Sequence, residues 1–507
     1  MEIIVTIVII VLLVLLIVWL HYRLTYWSRQ GIPNAINTIY NRLSKPVHFA
    51  DLDAYNKHGR IIGVYDGFRP CLMIGDPELI KKVLVTEFDN FKNHRKFYHE
   101  KQIAGRSLLS LENDQWKRTR KLMSPLFASN NLRKMKPLIE DCSSMLVDNL
   151  NKRLETNQIV DMKYLFGTFS LDVLASTVFG IRNLDSFNSQ TDEMVLIVGQ
   201  FLGQHLSIKS LILLWFPNLI KLFNGYVFDY KILNYLNSLV QKMLHRIRTI
   251  KAKTRLPSAD HQSQQSTTIK DFLTLLDESH IQLTDKQLDN QIRERIIIDN
   301  GILFIIAGYD TTSTSLSSII YCLSLFPDHQ QLIVDEIESL RRQLNRNELT
   351  LEEINSLDYL NGCILEALRC FPPVSRIERR VNRNCTLGTI KLLKDSLVII
   401  PCYAINHDPE FYPNPSIYDP TRFINKNGNN QQSNLIADTN IFLPFAAGPR
   451  NCIGMRFALV EIKICLIYLL TKYQFRPTFD TKIPLDYFTG MPVSAPKEVK
   501  VMVTLRR

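Results

Sequence analysis

The strongest pattern in the chain is an unbroken apolar run near its start. Across residues 3–20 only Thr6 interrupts Ile, Val, Leu and Trp. A helix of that length spans roughly 27 Å, close to the hydrocarbon core of a bilayer. A cleaved leader would carry a basic start and a small-residue cleavage site. Here Glu2 precedes the run, and bulky Trp19, Leu20, His21 and Tyr22 close or follow it. The expectation is an uncleaved anchor. Arg23 and Arg29 come after the run and no basic side chain comes before it, which puts the long C-terminal part on the cytosolic side.

Past a short basic joint, residues 22–33, the pattern shortens. Residues 60–76, two apolar runs around Asp66-Gly67, predict a β-hairpin. Apolar positions then recur every three or four residues over 137–154, 162–179, 228–253, 291–326, 329–344 and 351–370, each predicting a helix, and residues 113–120 read as a helix start. Two further helical patterns cover 271–278 and 455–472. Between helices, 254–268 is a polar low-complexity stretch, read as an exposed loop. The apolar stretch 211–217 is too short to span a membrane and is either core or a surface that dips into lipid. After Pro372 short runs rich in Val, Ile and Pro predict small strands. The fold class expected is mainly α with small β-sheets behind an N-terminal transmembrane helix.

Composition narrows this picture. Hydrophobic residues are 46% of 507 and charged residues 21%, which excludes a largely disordered chain. The length alone suggests about three domains. Lys and Arg outnumber Asp and Glu by 60 to 49, a net +11 that suits acidic partners or membrane surfaces better than nucleic acid. Nine cysteines, an odd number without a CxxC pair, argue against a disulfide framework and a zinc ribbon. Reduced, mostly buried thiols are expected, with room for one functional cysteine.

That cysteine is Cys452, in FAAGPRNCIG. A thiolate just before a helix gains from the helix dipole and from free N–H groups. Phe445, Gly448, Arg450, Cys452 and Gly454 together resemble the haem-ligand loop of the cytochrome P-450 superfamily, FxxGxRxCxG. Further stretches carry the likeness in the family's order: AGYDTT in an apolar helix, Glu366 and Arg369 in LEALRCFPP, Arg422 in PTRF, and Trp116 and Arg120 in WKRTR. GVYDGFRP, SRIERR and GPRNCIGMRFAL are most similar to the clan holding the drug- and steroid-oxidising family 3 enzymes and thromboxane synthase.

The resemblance implies the microsomal type of the P-450 fold: an anchor and joint over 1–27 and one haem-binding catalytic domain over 28–507, not three domains. It implies haem b with Cys452 as axial thiolate. Phe445 would shield the sulfur, Gly448 and Gly454 would let backbone approach the macrocycle, and Trp116, Arg120, Arg379 and Arg450 would meet the propionates, with Arg95 a weaker candidate. Gly308 would widen the distal groove, Thr311 would hydrogen-bond above the iron, and Asp310 would relay protons through water. Glu366, Arg369 and Arg422 would lock the core; the family usually has an acid where Thr421 stands. Phe97, Ile103, Phe304, Val374, Ser375, Tyr487 and Phe488 would line a pocket for a lipophilic steroid, fatty acid or xenobiotic.

The expected activity is insertion of one oxygen atom from O2. Electrons would come from an NADPH-dependent flavoprotein reductase, with cytochrome b5 as an optional second donor, at the endoplasmic reticulum membrane. Two rivals stand beside it: a haem-thiolate isomerase that rearranges a lipid peroxide without reductase, and a membrane-tethered haem sensor or carrier. The intact Asp310-Thr311 pair favours the oxygenase. The joint departs from the usual Pro/Gly-rich hinge, with only Gly31-Ile32-Pro33 to offer.

Overall fold

The structure, a computed structural model, describes residues 1–35, 44–67, 69–181, 208–216, 219–220, 226–254, 290–424, 440–489 and 493–506. The expected helix over 271–278 and all but the first residue of the polar stretch 254–268 lie outside the described residues.

The described chain is mainly helical. In chain order the helices are α1 (Glu2–Leu24), α2 (Val47–His58), α3 (Pro77–Lys81), α4 (Phe88–Phe91), α5 (Asn113–Met123), α6 (Ser129–Leu154), α7 (Met162–Val178) and α8 (Ile208–Trp215). They continue with α9 (Tyr230–Thr254), α10 (Asn290–Leu325), α11 (Pro327–Leu344), α12 (Leu351–Asn355), α13 (Asp358–Cys370), α14 (Cys402–Asn406) and α15 (Met455–Leu470). The strands are β1 (Asn34–Ala35), β2 (Ile61–Asp66), β3 (Arg69–Ile74), β4 (Ile159–Asp161), β5 (Ile377–Arg380), β6 (Cys385–Leu387), β7 (Ile390–Leu392), β8 (Leu397–Ile400), β9 (Tyr473–Arg476) and β10 (Lys500–Leu505). They form a five-stranded sheet in the order β1-β2-β3-β8-β5, a three-stranded sheet β4-β10-β9 and the hairpin β6-β7.

The predicted hairpin is β2–β3, antiparallel from Ile61 opposite Ile74 to Asp66 opposite Arg69, with Gly67 at φ +60° making the turn. Two boundaries differ from the periodicity. The helix expected over 351–370 is split at Ser356-Leu357 into a five-residue helix opened by the Thr350–Glu353 capping box and a second helix from Asp358. The helix expected from 137 starts at Ser129 and carries Pro137 inside it.

The 36-residue α10 runs through the interior and packs along α7 and against α13 and α15. Several of its Ser side chains satisfy themselves by bonding back to the helix: Ser317 Oγ donates to Ser313 O at 2.6 Å and Ser315 Oγ to Thr311 O at 2.8 Å. The largest core joins α6, α7, α10, α13 and α15.

Away from this body, the apolar side chains of α1 stand exposed, and none of its most apolar window is buried. In α8 the expected alternatives fall on different faces: Leu213 is buried, whereas Ile212 and, just past the helix, Phe216 are exposed. Pro217 lies outside the described residues.

Candidate active site

A cavity with about 1020 Å³ of space not filled by protein, part of it open to solvent, lies between α5, α7, α10 and the start of α15. The loop before α15 supplies one wall: Arg450, Asn451, Cys452, Ile453 and Gly454, followed by Phe457 and Ala458. Helix α10 supplies Leu303, Phe304, Ala307, Gly308, Thr311 and Thr312, and α5 supplies Trp116 and Arg120.

Local backbone shapes the cysteine loop. Gly448 has φ +72°, and a Cβ there would lie 1.9 Å from Leu84 O. Its glycine is therefore required by protein backbone, not by approach to a macrocycle. Cys452 N–H donates to Phe445 O at 2.8 Å, closing the loop. Phe445 itself packs half-buried on the main core. A Cβ built on Gly454 meets no protein atom within 4 Å, so its face opens into free space beside the thiol.

Cys452 lies deep in the fold, and its thiol is exposed to the cavity it borders. The other thiols are buried or half-buried. Burial pushes the Cys452 thiol up; the Gly454 N–H, the Arg120 charge and the Met455 N–H pull it back. Those are the N-terminal amides of α15 that the sequence predicted for it. Arg120 is largely occupied, with Nη1 donating to Asn451 O and Nη2 to Asn451 Oδ1, both at 2.8 Å. It fixes the residue next to the thiol.

The remaining cations are short of anions. Arg450 stacks over the Trp116 ring at 4.3 Å and donates to Leu111 O at 2.8 Å, but its Nε has no partner. Arg379 is 1% exposed, and its Nε and Nη2 also have no partner. Burial, and then Arg379 and Arg120, lower the Arg450 guanidinium to about 9, despite a counter-pull from Glu112. Burial lowers Arg379 to about 10. Buried donors with nothing to bond are costly, so the cluster suits an anionic partner. A thiol at the cavity wall, orphaned guanidinium donors beside it and a glycine face open between neighbouring walls fit the haem implied by the resemblance, propionates included.

His94 belongs to this cluster and the sequence reading missed it. It lines the cavity and accepts from Arg379 Nη1 at 3.4 Å. The weaker candidate, Arg95, faces elsewhere. Its Nε donates to Glu378 Oε2 at 2.7 Å and its Nη1 pairs closely with Asp66, which spends the charge structurally. Also missed were Asp299 and Asn300 on α10. Asp299 accepts from the N–H groups of Ala104 and Arg106 at 3.0 and 2.9 Å, and Asn300 from Leu108 at 2.7 Å. They bring Leu108 and Leu109 to the cavity. A polar pair inside an apolar helix was the available signal.

The distal candidates separate. Thr311 lines the cavity, its hydroxyl donating to Ala307 O at 2.6 Å. Asp310 is buried but not on the cavity wall: Oδ1 accepts from Lys163 Nζ at 2.8 Å, and the same ammonium donates to Thr314 Oγ1 and Ser313 Oγ. One residue of helix turns a side chain by about 100°, so adjacent positions on α10 face different neighbours. Gly308 lines the cavity too, but a Cβ there would meet Leu174 Cδ2 at 2.8 Å, so its smallness serves the α7–α10 contact.

Among the expected pocket residues only Phe304 borders this cavity. Phe97 packs with Phe228 at 5.9 Å. Ile103 is buried in the core around Trp116. Val374 bridges Val493, Ser375 is buried, and Tyr487 is buried against His48. Phe488 N–H bonds Ala495 O.

The structural lock has the expected members. Glu366 and Arg369 are both fully buried and paired twice, Nε to Oε2 and Nη2 to Oε1 at 2.8 Å each. Arg422 Nε lies 3.4 Å from Glu366 Oε1, an ion pair rather than a hydrogen bond. The departure at Thr421 is absorbed locally, its hydroxyl donating to Asp419 Oδ1 at 2.6 Å.

With this geometry in place, comparison with known proteins is specific. A family model described as Cytochrome P450 matches residues 29–503. Rat Cytochrome P450 3A2 is 34% identical over 496 residues, covering 96% of this chain and 93% of that protein. Mouse Cytochrome P450 3A16 is 33% identical over 490 residues, 95% and 92% respectively. Human Cytochrome P450 3A5 is 34% identical over 464 residues, 90% and 87%.

Proposed function

The chain belongs to the cytochrome P450 family, and from that premise we propose the roles of its own residues, its substrate class and its partners. It is a haem-thiolate monooxygenase, and the family's cofactor is haem held by a cysteine thiolate. When bound, haem supplies activation of O2 and transfer of one oxygen atom.

In this reading Cys452 would hold the haem iron through its thiolate, and residues 28–507 would act as one haem-binding unit. Arg450 and Arg379 receive the propionates, Trp116 supports Arg450 from below its plane, and Arg120 orients the cysteine loop through Asn451. Thr311 holds a hydroxyl over the cavity, where it can donate to a substrate oxygen or a water. Asp310 acts from behind it, bound to Lys163. Phe304, Leu303 and Leu108 exclude water and offer an apolar surface, so the substrate is lipophilic. Electrons come from an NADPH-dependent flavoprotein reductase, with cytochrome b5 as a second donor, and the exposed α1 keeps the enzyme at the endoplasmic reticulum membrane with the catalytic unit in the cytosol.

The observation that carries this reading is the pairing of one cavity-facing thiol with buried guanidinium donors that lack acceptors. Its test is turnover across a panel of lipophilic compounds with and without NADPH and reductase. Product that requires both supports the oxygenase. Product from a lipid peroxide without either points to the isomerase.

A further inference from the structure

The joint between α1 and the catalytic body has no slack. Thr25 N–H donates to His21 O at 3.0 Å, Arg29 N–H to Thr25 O at 3.1 Å and Ile32 N–H to Trp27 O at 3.1 Å, so helical-turn bonds run from the anchor through the joint. Trp27 is 0% exposed. Its ring sits on Gly63 of β2, where a Cβ would lie 2.1 Å from Trp27 Cγ, and its Nε1 donates to Val64 O at 3.2 Å. Two further bonds tie the ends of the joint to the same strand. Tyr65 hydroxyl donates to Leu24 O at 2.6 Å, and Gly63 N–H donates to Pro33 O at 2.8 Å.

The joint also holds the β6–β7 hairpin. Tyr26 hydroxyl donates to Lys391 O, and Lys391 N–H donates to Gln30 Oε1, both at 3.1 Å. Lys391 on β7, and Leu393 and Lys394 just past it, are exposed. Neither ammonium has a carboxylate partner among the described residues, and the nearby Asp395 is paired with Arg380. A hairpin bonded within a few residues of the end of a membrane helix sits at the lipid surface. Two free ammoniums beside a leucine match an anionic headgroup layer.

We propose that Trp27 latches the anchor to β2, so that the catalytic body keeps one fixed tilt and rests its β6–β7 hairpin on anionic lipid. This rests on the reading of α1 as a membrane span, and not on the haem chemistry. A rigid plug thus takes the place that the sequence left without a Pro-rich hinge.

The test uses the full chain in nanodiscs of neutral lipid or of neutral lipid with phosphatidylserine. Hydrogen exchange is followed at Ile32 and Gly63, and trypsin cleavage after Lys391 and Lys394. In wild type both amides are protected, and cleavage is about tenfold slower on phosphatidylserine discs. Trp27→Ala speeds exchange at both amides by about tenfold or more and removes the lipid dependence of cleavage. Amides of α13 serve as the folding control. If Trp27→Ala fails that control, Tyr65→Phe, which removes one hydroxyl, gives a smaller rise at the same amides. Equal exchange in wild type and a folded variant overturns the latch. Cleavage that ignores phosphatidylserine overturns the lipid contact. A chain that does not enter discs at all overturns the anchor reading together with the latch, while leaving the haem assignment intact.

Discussion

Arg379 Nη1 stands 3.4 Å from His94 Nδ1, and the two share a buried cluster with Arg450. Two guanidinium groups and an imidazole together, with three guanidinium nitrogens unbonded, make sense as a receiver for carboxylates. Replacing Arg450 with Leu removes one receiver. We expect haem loss to a scavenging apoprotein to accelerate by about 10- to 100-fold, the value of one or two charge-assisted hydrogen bonds. The haem-free form should change thermal stability much less, because relief of the repulsion from Arg379 offsets the lost bonds to Leu108 O and Leu111 O. A haem loss rate equal to wild type would contradict the assignment of Arg450.

His94 titrates in the direction its neighbours dictate. Burial, and then Arg379 and Arg450, hold it well below its ordinary 6.5. Folded His94 stays neutral where an unfolded histidine gains a proton. The haem-free protein is therefore fully stabilised by this residue above about pH 6.5 and loses up to about 1.4 kcal/mol per pH unit as the pH falls below it. Chemical denaturation of His94→Gln between pH 5 and 7 should show a shallower acid slope than wild type.

Asp310 and Thr311 are neighbours with different surroundings, so their variants should separate. Thr311→Ala alters a cavity wall and should change stability by less than about 1 kcal/mol while diverting electrons to peroxide. Lys163→Met strands the buried Asp310 carboxylate and should cost about 3 kcal/mol or more. Melting temperatures alongside peroxide yield per NADPH check both. Equal loss of stability in the two variants would refute the separation.

Glu461 on α15 is fully buried, and burial raises its carboxyl well above the ordinary 4.5, with the Ser170 hydroxyl offsetting this only in part. A raised carboxyl contributes stability that is complete below about pH 4.5 and falls as the pH rises toward its folded value. Glu461→Gln keeps the shape without the charge. It should leave stability at pH 5 within about 1 kcal/mol of wild type and flatten the alkaline loss, read from denaturation curves at pH 5, 7 and 9.

Local chemistry was legible in the sequence, and of the tertiary contacts only those carried by the resemblance, such as Arg422 to Glu366, were. The Cys452 loop could be read because its glycines, arginine and helix start fall within ten residues. Glu366 and Arg369 could be read because one helical turn brings them together. His94 was passed over for Arg95 because a one-residue difference decides which side chain faces the cavity and which faces Asp66. Lys163 lies 147 positions from its partner Asp310, a separation no local pattern spans. Phe97, Ile103, Val374, Ser375, Tyr487 and Phe488 were expected at the pocket. Instead the bonds from Asp299 and Asn300 draw the preceding loop in at Leu108 and Leu109. The anchor was plain from composition alone, whereas its rigid attachment depends on Trp27 meeting Gly63 on a strand 36 positions later.

The most direct measurement is the carbon monoxide difference spectrum of the reduced protein, wild type beside Cys452→Ser. Wild type should give the band of a thiolate-ligated haem, and the variant, which keeps every other cavity residue, should lose it. A variant that retains the thiolate band would show that another residue holds the iron, and would contradict the assignment on which the site rests.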